Sequence, residues 1–173
     1  MPTTNAERKQ ISGLRVGLDG EPLITVPEFL RVFRDGQSDR NLLVGELLGD
    51  ALISQESDEV ELALLAGFNL GFSEAHINLL ASLAQAEWHF SHEDIVSALN
   101  EICSSGCVNA LHSLARQVPK YLEFDDARAL GTKAVWALYK VGDSTAKQAL
   151  QAIAEDQDDL VGKLAYEKLL ELS

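Results

Sequence analysis

Residues 98–111 (ALNEICSSGCVNAL) and 137–150 (ALYKVGDSTAKQAL) align without a gap at an offset of 39. Ala137, Leu138, Val141, Ala149 and Leu150 fall on Ala98, Leu99, Ile102, Ala110 and Leu111, and Ala146 falls on Cys107. A looser copy lies 32 residues upstream, where Ala66, Leu70, Ala75 and Leu79 fall on Ala98, Ile102, Cys107 and Leu111. Apolar residues keep a helical spacing on both sides of a short polar turn, so each copy reads as helix, turn, helix. One such hairpin cannot bury its own apolar face. Several stacked together can, and small residues at the crossings let the helices approach.

Helix signals fill most of the remaining chain. Pro27 opens a short helix carrying Phe29, Leu30 and Phe33, with Gly36 past its end. Ser38 or Asp39 caps the next, which carries Leu42, Leu43, Leu47, Leu48 and Ile53. Ser57 caps a helix over 58–70, and Ser73 starts one over 74–88 with Ile77, Leu80, Leu83, Ala84 and Trp88 on its stripe. Ser91 and Asp94 form a capping box ahead of a helix to Ile102, and another runs from Gly106 to Val118, ended by Pro119. Asp125 or Asp126 begins a long helix to Val141–Gly142, Asp143 or Ser144 one to Glu155, and Asp158 or Asp159 the last. The first 25 residues read as an irregular arm, with a short strand possible over 11–18.

Charge is segregated along the chain. Residues 1–40 hold six basic and six acidic side chains, 41–115 hold eleven Asp and Glu with no Lys or Arg, and 116–173 hold eight basic and ten acidic. With a net charge of −13, a pure carboxylate zone repels a phosphate backbone and an anionic membrane. It favours a basic protein partner and faster encounter at low salt. No apolar run reaches membrane-spanning length, no leader segment is evident, and two cysteines make no disulfide framework, so the expected setting is the cytoplasm.

The stretch 125–169 resembles HEAT repeats, whose pattern is an A helix ending A-x-x-A-L, then [V/I]-G-D, then a B helix with A-x-x-x-L. Ala134, Ala137, Leu138, Val141, Gly142, Asp143, Ala146 and Leu150 carry it. The match weakens over 91–118 and further over 58–88, and Cys103 and Ser104 stand where Gly142 and Asp143 stand, which predicts a less regular turn. The resemblance implies a short right-handed alpha-solenoid of HEAT-like hairpins over 41–173, with 1–40 as an atypical N-terminal arm and capping helix of one compact domain. The segments 87–102 and 118–138 are also similar to small acidic bacterial immunity proteins of polymorphic and contact-dependent toxin systems. That resemblance implies a cytosolic inhibitor of a toxin domain.

Candidate binding residues follow from charge and turn position. Tyr121, Glu123, Asp125 and Asp126 lie in YLEFDD, the widest loop of the repeated part, where an aromatic anchor and three carboxylates project together. Equally, Tyr121 and Phe124 could pack the loop down while the acids cap the next helix. Glu74, Glu87, Glu93, Asp94 and Glu101 are the acids nearest the middle turns, and Trp88 either closes a helix crossing or stands exposed beside His89 and His92.

Enzyme signatures are weak. His89 and His92 with Glu93 and Asp94 form the densest polar cluster, but H-E-x-x-H is absent, and the two rings are expected on different elements with His92 solvated. Cys103 and Cys107 are spaced four apart, which is no redox motif. The expected function is a non-enzymatic protein-binding module without metal or cofactor, monomeric or weakly dimeric. Its specific form is an immunity protein that occludes a basic toxin domain. An adaptor subunit and, third, a metal enzyme at His89 and His92 are the alternatives.

Overall fold

In a computed structural model of the chain, Thr4 opens the first helix. Its hydroxyl accepts from the Glu7 N–H at 3.3 Å, and the Glu7 carboxylate accepts from the Thr4 N–H at 2.7 Å. This reciprocal box starts α1 (Asn5–Ser12). Thr25 and Glu28 build the same box ahead of α2 (Val26–Val32), with Pro27 in its first turn. The arm expected at the N-terminus is therefore partly helical, and 11–18 contributes only the isolated bridge between Val16 and Pro22.

The structure describes residues 3–17, 20–36, 39–125, 128–156 and 160–172. A 3-10 turn (Phe33–Gly36) leads to α3 (Arg40–Ser54) and α4 (Ser57–Leu70). A second 3-10 turn (Glu74–His76) leads to α5 (Ile77–Ala84) and α6 (His92–Ile102). Two more turns, Ser105–Cys107 and Lys120–Leu122, flank α7 (Val108–Arg116), and then come α8 (Ala129–Val141), α9 (Ser144–Asp156) and α10 (Leu160–Glu171). Ten α-helices and no paired strand occur among the described residues, so the protein is all-α.

Several caps fall where the sequence places them. Asp39 accepts from the Leu42 N–H at 3.1 Å, and Asp143 accepts from the Ala146 N–H at 2.8 Å. Others do not. Ser57 lies inside α4, whose N-cap position is Glu56. Ser91 precedes α6 but its side chain makes no capping bond. α5 stops at Ala84, short of Trp88, because the Leu83 carbonyl is taken by the Ala86 N–H at 2.9 Å and by the His89 ring at 2.8 Å. A side chain thus satisfies the helix end that another turn would have satisfied.

The chain divides into two compact units, Met1–Ser82 and Leu83–Ser173. In the first, α3 and α1 both pack on α4. Its buried residues include Ile11, Leu43, Leu47 and Leu64, with Phe29 and Phe33 stacked at 4.6 Å. Arg8 reaches Glu56 at 2.8 Å and Glu59 at 2.5 Å, and lies 3.8 Å from Asp58. Arg34 reaches Glu7 at 3.0 Å, Glu46 at 3.0 Å and Asp50 at 2.7 Å. Five of the eleven carboxylates of 41–115 thus sit against arginines supplied by residues 1–40.

In the second unit, α6 packs on α8 and α8 on α10, while α7 packs on α9. Neighbouring helices α7 and α8, and α9 and α10, also lie against each other. A Cβ at Gly131 would stand 2.7 Å from Val161 Cγ2 and 3.0 Å from the Ala115 carbonyl, so α8 approaches its neighbours at a distance only glycine permits. The aligned turns share one backbone solution. Cys103 and Gly142 are both left-handed, with φ of 49° and 65°, and their N–H groups bond the aligned carbonyls of Leu99 and Leu138. The turn at Cys103 is thus regular, not the less regular one its side chain suggests. Cys107 and Ala146 are fully buried at matching positions.

Candidate functional site

Residues 85–91 leave α5 as an irregular strap that ends on α6. Within it, His89 is fully buried. Its Nε2–H donates to the Leu83 carbonyl at 2.8 Å, and its Nδ1 accepts from the Ser91 N–H at 3.1 Å. These partners assign a neutral ring. His92 opens α6 and is also buried, its ring stacked on that of His89 at 4.5 Å and 24°. The expectation of a solvated His92 whose ring need not meet His89 is overturned: the strap folds back and brings both rings together under Trp88, which stands edge-on to His89 at 5.1 Å. Trp88 itself is half-buried and lies off any helix.

Tyr121 completes the cluster from the far side. Pro119 forbids α7 from continuing, and the chain turns through Lys120–Leu122 to deliver the phenol onto α6. The Tyr121 hydroxyl accepts from the His92 backbone N–H at 3.3 Å and donates to His92 Nδ1 at 3.0 Å. It therefore satisfies a first-turn amide of α6, the role the sequence assigns to Ser91. With Nδ1 taken by the phenol, the other ring nitrogen serves the Ala86 backbone. Burial, then the neighbouring His89 ring, push the His92 imidazole down to about 4, against the Ala86 bond. Burial also lowers His89, opposed by the Leu83 carbonyl. The Tyr121 phenol is raised, first by burial and further by the charges of Glu93 and Asp94, while the His92 N–H acts the other way.

Between strap and turn lies an open cleft of about 450 Å³. Its apolar lining is Ala86, Phe90, Val118, Pro119 and Tyr121, and its polar lining is Gln85, Glu87, His92, Gln117 and Lys120. Phe90 is 64 % exposed and meets Tyr121 edge-to-face at 5.3 Å. Val118 and Phe124 are also exposed. Gln117 donates to Gln85 Oε1 at 3.0 Å, and Gln85 donates to Ser113 at 2.9 Å, which ties the two walls together. The floor is fixed by hydrogen bonds while the rim leaves aromatic surface open to water. Such a site suits recognition of an inserted side chain.

The sequence candidates distribute unevenly about this cleft. Glu87 and Tyr121 line it, and Trp88 sits behind it on His89. Glu93 and Asp94 occupy the first turn of α6, where their charges reach Tyr121. Asp94 is exposed, whereas Glu93 is paired with Lys133 at 2.7 Å. Glu101 is exposed in the last turn of α6, away from the cleft lining, and Glu123 is exposed just beyond the Lys120–Leu122 turn. Asp125 is turned inward, its Oδ2 accepting from the Ala129 N–H of α8 at 2.6 Å. Asp126 lies outside the described residues. Glu74 is exposed on the 3-10 turn of the first unit.

Phe90, Val118 and the glutamine pair are the site residues that the sequence reading passes over. No sequence signal marks Phe90, because the burial of the histidines on either side of it is not written in their spacing. Among the described residues no group of three or more His, Cys, Asp or Glu could hold a metal ion. The nitrogens that His89 and His92 would offer are already bonded within the protein.

No protein-family profile matches the chain, and no curated protein or solved structure matches it either.

Proposed function

We propose that the protein is a non-enzymatic binding module that captures a basic protein partner at the Phe90–Tyr121 cleft. The observation that carries this reading is an exposed aromatic pair on a floor made rigid by buried, hydrogen-bonded histidines, with exposed Glu87 and Asp94 beside it that form no ion pair among the described residues. Aromatic anchors supply interface energy, and carboxylates supply orientation and encounter rate. The packing of alternate helices in Leu83–Ser173, together with the aligned turns, supports a short HEAT-like solenoid as the scaffold. Within this reading the partner is a basic toxin domain, and neutralisation is occlusion of its active surface.

The test is a pull-down from native lysate at low salt, run in parallel with wild type, Phe90→Ala and Glu87→Lys. A basic protein held by wild type and lost from both variants is expected, with Phe90→Ala weakening the isolated complex by about 2 kcal/mol. Expressing that partner alone should arrest growth, and co-expressing this chain should relieve the arrest. Equal retention by wild type and both variants sinks the cleft as the binding site. A captured partner that is harmless when expressed alone removes the toxin reading and leaves an adaptor.

A further inference from the structure

Helix α10 buries one side against α8 and α9 through Val161, Ala165 and the stem of Lys168. Its opposite side is open: Leu160 is 52 % exposed, Tyr166 56 % and Leu170 57 %, and Lys163 and Glu167 are exposed between them. No ion pair joins Lys163 or Glu167 to another described residue. On a helix these five positions fall on one face, because each is three or four residues from its neighbour or lies beside one that is. The order along the axis is apolar, cation, aromatic, anion, apolar.

That order is complementary to itself when reversed. A two-fold axis crossing α10 at Ala165 places residue i opposite the partner helix's residue at the mirrored distance. Leu160 then meets Leu170 of a second copy, Lys163 meets Glu167, and the two Tyr166 rings flank the axis. A parallel arrangement would instead set Lys163 on Lys163 and Glu167 on Glu167, two like-charge contacts. The pattern therefore selects an antiparallel, isologous pairing, in which each patch is its own partner.

We propose that the open face of α10 is a homodimer interface, formed by antiparallel pairing of α10 with α10 of a second copy. One short helix per side makes a small interface, so the dimer is weak, with Kd of about 10–100 µM. The net charge of −13 opposes it at low salt, and screening beyond about 8 Å at physiological ionic strength relieves that opposition while leaving close pairs in contact.

The test is sedimentation equilibrium of the full chain at physiological salt over a concentration series. Wild type should pass from monomer to dimer. Lys163→Glu and Glu167→Lys should each weaken dimerisation about tenfold or more, since each replaces two attractive contacts by two repulsive ones. The doubly swapped variant should return to within a few-fold of wild type. Leu170→Asp should abolish the dimer. All three substituted positions are exposed, so an unchanged circular dichroism melt at low concentration separates lost pairing from lost folding. Wild type that stays monomeric throughout the series overturns the proposal, as does a double swap that is no tighter than either single swap.

Discussion

His92 carries the acid sensitivity of the second unit. Its ring is held to about 4, below the usual histidine value, first by burial and then by the stacked His89. In the unfolded chain both rings regain ordinary basicity, so the unfolded state binds more protons between those two values. Stability is therefore full above about pH 6.5 and falls as pH drops towards 4. Over that window His92 alone removes about 3 kcal/mol. Thermal melts at steps between pH 7 and pH 4 should show this loss, and His92→Asn should flatten the profile. An unchanged slope in the variant would place the acid sensitivity elsewhere. Tyr121→Phe tests the same cluster at neutral pH. It leaves a first-turn amide and His92 Nδ1 without their phenol, and should cost about 1–3 kcal/mol by chemical denaturation. None of this is legible in H-F-S-H-E-D, because the spacing of two histidines says nothing about which carbonyl accepts from a ring or which phenol arrives from 29 residues away.

At the scale of helices and turns, the repeated backbone makes an unusual comparison possible within one chain. Cys103 and Gly142 occupy the same left-handed turn position, but only glycine does so without a Cβ penalty. Cys103→Gly should therefore stabilise the second unit by up to about 1 kcal/mol. Gly142→Ala should destabilise it by about 1 kcal/mol, since its Cβ would also stand 3.2 Å from the Tyr139 carbonyl. Urea denaturation of the two variants measures both signs, and a shift of the same sign in both would refute the shared turn. Much of this level is readable from sequence: the offset of 39 aligns Leu99 with Leu138 and Cys107 with Ala146, and each pair is buried. In the N-terminal third the helices opened by Pro27 and capped by Asp39 are readable in the same way, and α1 is not, since it rests on the Thr4–Glu7 box amid isolated apolar residues. α5 is overestimated because its apolar stripe runs on to Trp88 while a histidine side chain ends the helix.

Across the whole molecule, charge that is segregated in sequence is not segregated in space. Residues 41–115 carry no cation, yet Arg34 stands among Glu7, Glu46 and Asp50, and Arg8 among Glu56, Asp58 and Glu59. A linear count cannot register this, because it depends on α1 and the Phe33–Gly36 turn reaching α3 and α4. Of the 41–115 carboxylates that fall in the second unit, Glu93 is paired with Lys133, whereas Glu87, Asp94 and Glu101 are exposed and without ion-pair partners among the described residues. Arg34→Met tests the clamp. Removing the guanidinium leaves three carboxylates facing one another, and a fully buried break of this kind costs about 3–5 kcal/mol. The Arg34 side chain is 22 % exposed, so solvent reduces the expected loss to about 2 kcal/mol. Arg34→Lys should recover only part, since one ammonium cannot fork to three acids. Added salt should narrow the gap between Arg34→Met and wild type by screening the repulsion among the acids. Hydrogen exchange reads the effect locally: amides of α1 and α3 should lose protection while those of α8 and α9 keep theirs. Lys9→Met removes an exposed cation from α1 and should leave that protection unchanged. If Lys9→Met and Arg34→Met cost the same, net charge rather than the clamp holds the first unit, and its three ion pairs are incidental.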